Sequence, residues 1–80
     1  MSVTVLLFAS YADALGAPSV SVELPADATV ADVLADITRR PGWGRRPTTP
    51  LVAVNQRYAS RTTRIREGDE VALIPPVAGG

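Results

Sequence analysis

Eighty residues allow one small domain, which buries only about 60–65% of the surface its unfolded chain exposes. The chain has no Cys and no His, so disulfides and thiolate or imidazole zinc sites are excluded as staples, and the 46% of apolar residues must hold the fold by packing. Eight basic residues, every one an arginine, balance eight acidic ones; a general nucleic-acid binder would be clearly basic, and no lysine amine exists to attack an activated carboxyl group.

Residues Val3–Ala9 read as the first strand, and their unbroken apolar character predicts burial on both faces. This run lacks the positive n-region of a signal peptide and is far too short for a membrane span. With the absence of Cys, it leaves a cytoplasmic location as the expectation. A connection with one helical turn, "SYADALGAP", is stopped by Gly16 and Pro18. Val20, Val22 and Leu24 alternate with Ser21 and Glu23, a half-buried strand expected to pair antiparallel with the first. "TVADVLADITRR" is the clearest element. Thr29 and Asp32 have capping-box spacing, and Val30, Val33, Leu34 and Ile37 make one apolar stripe. Arg39 and Arg40 suit the negative end of the helix dipole, and Pro41-Gly42 closes it.

"GWGRRPTTP" reads as irregular, with its arginines expected on a solvated surface. Leu51–Asn55 is a strand, "QRYAS" a short edge strand or turn, "REGD" a turn, and Val71–Ile74 the last strand. Asn55 and Asp69 carry turn chemistry, their side chains bonding backbone N–H groups. One helix for four or five strands predicts an α+β, two-layer domain with the helix on one face of a mixed sheet. If Val3, Val5, Leu7, Val71 and Leu73 face the helix, period-2 alternation turns Leu6, Phe8, Ala72 and Ile74 outward. An exposed patch of that kind marks a partner surface.

The stretches "VLLFASYADALG", "AVNQRYA" and above all "IREGDEVALIPPVAGG" resemble the small, sulfur-carrying subunits of molybdopterin synthases, which are ubiquitin-like β-grasp proteins. The resemblance spans the chain and is most specific in the Pro-Pro-Val-Ala-Gly-Gly ending. It implies a β-grasp domain over residues 1–74 and a flexible tail over residues 75–80. It also implies that an adenylating, E1-like activating enzyme uses ATP with magnesium on the Gly80 carboxylate. A sulfur donor then leaves a thiocarboxylate, and the tail carries that sulfur into the large subunit of a heterotetramer to build the molybdenum-binding dithiolene. No cofactor is expected to stay bound, and neither nucleic acid nor membrane is an expected partner. Gly79 and Gly80 permit close backbone approach in two different active sites. Pro75 and Pro76 favour an extended exit, and with Val77 and Ala78 the six-residue tail reaches roughly 20 Å. Phe8, Tyr58 and Ile74 match family positions at the partner interface, although Ile74 stands where Phe is common.

No residue set suggests acid–base or nucleophilic catalysis by this chain alone, so the catalytic machinery is expected in its partners. Three alternatives remain open at the level of sequence. The chain could carry sulfur for thiamine, cysteine or tRNA thiolation. It could be a ubiquitin-like modifier joined to lysines, or a β-grasp interaction module with an inert tail.

Overall fold

The computed structural model describes residues 1–76. Seven elements follow in chain order: β1 (Ser2–Leu7), α1 (Ser10–Leu15), β2 (Ser19–Glu23), α2 (Val30–Thr38), β3 (Leu51–Val54), β4 (Arg57–Tyr58) and β5 (Glu70–Ile74). The strands form one mixed sheet in the order β2-β1-β5-β3-β4. The β1–β5 pair is parallel and the other pairs are antiparallel.

Strand register lines up the inward side chains in rows. Val20, Val5, Val71 and Val54 face one another across four strands, and Leu7, Leu73 and Val52 make the next row. Onto these rows α2 places Val30, Val33, Leu34 and Ile37, all buried. This is the stripe expected from the sequence, and with Val5, Val71 and Leu73 it forms the centre of the core. The α2 N-terminus is held by the Asp32 carboxylate, which accepts the Thr29 N–H at 2.8 Å and the Thr29 hydroxyl at 3.4 Å. The helix ends at Thr38, so the two arginines follow it. Arg39 Nε donates back to the Ala35 carbonyl at 2.9 Å, satisfying an acceptor that the helix end leaves free.

Burial of β1 on both faces is not observed. Val3, Val5 and Leu7 are buried, but Thr4 is exposed, Leu6 half-buried and Phe8 47% exposed. A single layer of helix covers one side of the sheet, so the run is apolar for two reasons: core on one face, surface patch on the other. The expected helical turn is a short helix, α1, ended by Gly16 at φ 73°. It buries Tyr11 against Trp43, with ring centroids 4.7 Å apart. Trp43, from the stretch read as irregular, is thus a core residue. Gly42 makes this fit possible, because a Cβ there would lie 2.4 Å from the Ala14 carbonyl oxygen. The solvated surface expected for the arginines nearby is wrong for Arg46. It is half-buried, its guanidinium 5.0 Å from the Tyr11 ring centre and 4.6 Å from that of Trp43. Cation–π attraction to two rings holds it there.

Asn55 and Gln56 join β3 to β4 with φ of 51° and 70°, the paired positive values of a tight hairpin turn. Asn55 donates its amide to Asp69 at 2.9 Å and accepts the Glu70 N–H at 3.0 Å. Asp69 accepts the Arg66 N–H at 2.8 Å. The turn chemistry expected of both residues is therefore present, and it links two turns.

Candidate functional site

The outward face of the sheet is built by the same register. Leu6, Ala72, Ala53 and Tyr58 lie opposite one another across β1, β5, β3 and β4. Two alanines in the middle of such a row make a low floor, and larger side chains at its ends make walls. The result is a groove of about 340 Å³. Leu6 and Phe8 form one wall, Tyr58 and Gln56 the other, and Glu70 and Ile74 stand at its two ends along β5.

Tyr58 is 75% exposed, Phe8 47% and Leu51, opposite Ile74, 41%. Large apolar side chains standing this free in so small a domain form a patch suited to a partner. The structure brings Phe8, Tyr58 and Ile74 together on this face. Ala53, Gln56 and Glu70 escaped the sequence reading. An alanine floor becomes visible only when the register between β3 and β5 is known, and local alternation does not supply it.

Phe8 is set by the end of β1. Its N–H donates to the Leu73 carbonyl at 3.3 Å, and the next residue, Ala9, turns the chain away with φ 51° and ψ −125°. β5 ends at Ile74, at one end of the groove, and Pro75 and Pro76 continue from it half-buried. Val77, Ala78, Gly79 and Gly80 lie outside the described residues.

The groove is lined mainly by apolar side chains, with Gln56 and Glu70 as its polar members. Among the described residues that line it, the one carboxylate is that of the exposed Glu70. Among the described residues two groups have displaced proton affinities, and both displacements have local structural causes. Burial pushes the Tyr11 phenol up, with the nearby Arg46 charge opposing it. The Arg66 N–H and then the Asn55 amide hold the Asp69 carboxyl below its usual range. No group of three potential metal ligands occurs among the described residues, nor does a helix long and apolar enough to cross a membrane.

The sequence profile of the ThiS family matches residues 5–80. This chain belongs to the ThiS family. A molybdopterin synthase sulfur carrier subunit from Dictyostelium discoideum is 36% identical over 95% of this chain and 93% of its own. A solved Pyrococcus furiosus protein described as molybdopterin converting factor subunit 1 superposes with a TM-score of 0.82. It is 31% identical and covers 96% of this chain and 99% of its own. Small archaeal modifier protein 1 of H. volcanii is 29% identical with a TM-score of 0.80, over 95% and 98%. The five-stranded sheet with its crossing helix is therefore the ubiquitin-like β-grasp fold. The ThiS-family chain thus has relatives of two kinds, named as sulfur carriers and as modifiers.

Proposed function

We propose that this protein is the sulfur carrier of a molybdopterin synthase. The observation that carries the reading is likeness along the whole chain to a named sulfur carrier subunit, on a sequence ending Pro-Pro-Val-Ala-Gly-Gly. The domain over residues 1–74 presents the tail over residues 75–80. An activating enzyme joins the Gly80 carboxylate to the AMP portion of ATP, with magnesium, and pyrophosphate leaves. A sulfide-level nucleophile then displaces AMP, leaving a thiocarboxylate. Gly79 keeps the approach to that carbon free of side chains. Phe8, Tyr58 and Ile74 seat the large subunit on the sheet face while Pro75, Pro76, Val77 and Ala78 lead the terminus into its active site. The chemistry belongs to a reducing cytoplasm, where a thiocarboxylate persists.

The test is intact-mass analysis after incubation with the activating enzyme, ATP, magnesium and sulfide. The expected gain equals one oxygen exchanged for sulfur, and it disappears when Gly79 and Gly80 are deleted, with the urea midpoint unchanged. Pyrophosphate exchange without any mass gain overturns the carrier reading. A second reading, protein modification, is favoured by the likeness to the archaeal modifier. Under it the same adenylate is captured by a target lysine, and conjugates of higher mass appear in cell extract in place of the thiocarboxylate.

A further inference from the structure

On the helix side of the sheet, the segment after Trp43 and one face of α2, from Ala31 to Thr38, enclose an open pocket of about 410 Å³. Arg45, Arg46 and Arg61 line it together with the Thr48 and Thr49 side chains, and no acidic residue does. Three of the eight cations of a chain with zero net charge thus converge on one depression. Among the described residues none of the three makes an ion pair; the two ion pairs there use the N-terminus and Arg40. Arg46 is pinned by Tyr11 and Trp43, and its Nε is buried without a hydrogen-bond partner among the described residues.

This pocket is not isolated from the groove. Between them lies an apolar recess of about 160 Å³ against the β3–β4 edge. Tyr58 lines both the groove and the recess, and Thr49, Pro50 and Arg61 line both the recess and the arginine pocket. A continuous track therefore leads from the apolar sheet face, past Tyr58, to a cluster of guanidinium groups.

We propose that the arginine pocket receives an acidic segment of the same protein that covers the groove, wrapping over the β4 edge. The inference rests on the reading that the large subunit sits on the sheet face, and it adds which part of that subunit binds where. Arg45 and Arg61 are exposed, so each can form a forked pair with a carboxylate without first losing another partner. Charges placed at the rim of an apolar interface set orientation and encounter rate, and they make binding sensitive to salt.

The test is titration calorimetry of the full chain against its large subunit at low and at high salt. It compares wild type, Arg45→Ala/Arg61→Ala and Phe8→Ala. Arg46 is left in place because its rings depend on it. The double variant is expected to bind about fivefold more weakly at low salt, the sum of two exposed ion pairs, and to lose most of the salt dependence. Phe8→Ala should weaken binding at both salt concentrations alike. If the double variant binds as wild type does while Phe8→Ala weakens binding, the pocket inference fails and the groove reading stands. If neither variant changes affinity, or wild type does not bind, both fail. If only the double variant weakens binding, the track between the two sites is wrong. Should the double variant prove poorly folded by urea titration, Arg61→Glu alone supplies the same comparison. Tripolyphosphate binding that needs Arg45 and Arg61, with large-subunit affinity unchanged, would reassign the pocket to a small phosphate-bearing ligand and overturn the proposal.

Discussion

Asp69 shows how much a single side chain can organise when its two oxygens are shared between turns. One accepts the Arg66 N–H and the other the Asn55 amide, which lowers its proton affinity when folded. A carboxyl whose folded pKa lies below its unfolded one contributes stability above the unfolded value, and the contribution disappears as pH falls through the folded value. Asp69→Ala is therefore expected to cost about 0.5–1.5 kcal/mol at neutral pH and to flatten the acid limb of stability. Urea midpoints measured down to the carboxylate range check this, and an unchanged acid limb would refute it. Both residues were legible in the sequence as turn formers because Asx chemistry is local. Their pairing was not, since it joins positions 14 apart in the chain. Gln56 hides its role for a related reason: at φ 70° it holds a position where Gly is the usual signal.

Among the elements, α2 was the most legible, because its period, its capping box and the Pro-Gly pair that follows it all lie within one window of sequence. Its packing sets unequal penalties for truncation. Ile37 is fully buried, whereas Leu34 is 4% exposed and borders both the recess and the arginine pocket. Ile37→Ala is expected to cost about 3–5 kcal/mol and Leu34→Ala about 2–3, since neighbours and water can relax into the second site more readily. Urea unfolding of both variants gives the order, and equal or reversed losses would show that α2 packs differently. The segment after α2 was illegible by contrast. Trp43 and Ile65 are core residues held in irregular chain, and their burial is decided by α1 and by the start of α2, far away in sequence. The run in β1 misled for a physical reason. Apolar residues facing a partner and apolar residues facing a core look alike until the layers are counted.

At the scale of the whole molecule, one face of the sheet is buried under α2 and the other stands open. Under the proposed function the open face takes the partner, and Phe8 tests that separation. Truncating an aromatic at the centre of an interface costs more than ~2 kcal/mol of binding, which is roughly thirtyfold in Kd. On a face open to solvent the same change should move stability by under about 1 kcal/mol. Phe8→Ala measured by calorimetry with the large subunit and by urea on the free domain should show that contrast. A destabilised domain with unchanged affinity would place Phe8 in the core. The strand order itself was not readable from sequence. The parallel pairing of β1 with β5 joins Leu7 to Leu73, and no local pattern announces such a contact.

That pairing sets a timetable for synthesis. β5 lies between β1 and β3, and its Val71 and Leu73 are wholly buried. While a ribosome is still making the chain, the hairpin of β1 and β2 and the helix α2 have no central strand to close on. Non-local contacts of this kind are slow to form. A nascent chain halted at Asp69 should show no cooperative urea transition, and a folded one would refute the order of events. The segment after Ile74 is thus made only after the strand whose insertion completes the sheet. Under the proposed function, an activating enzyme that reads the sheet face together with the tail meets both only on a finished domain.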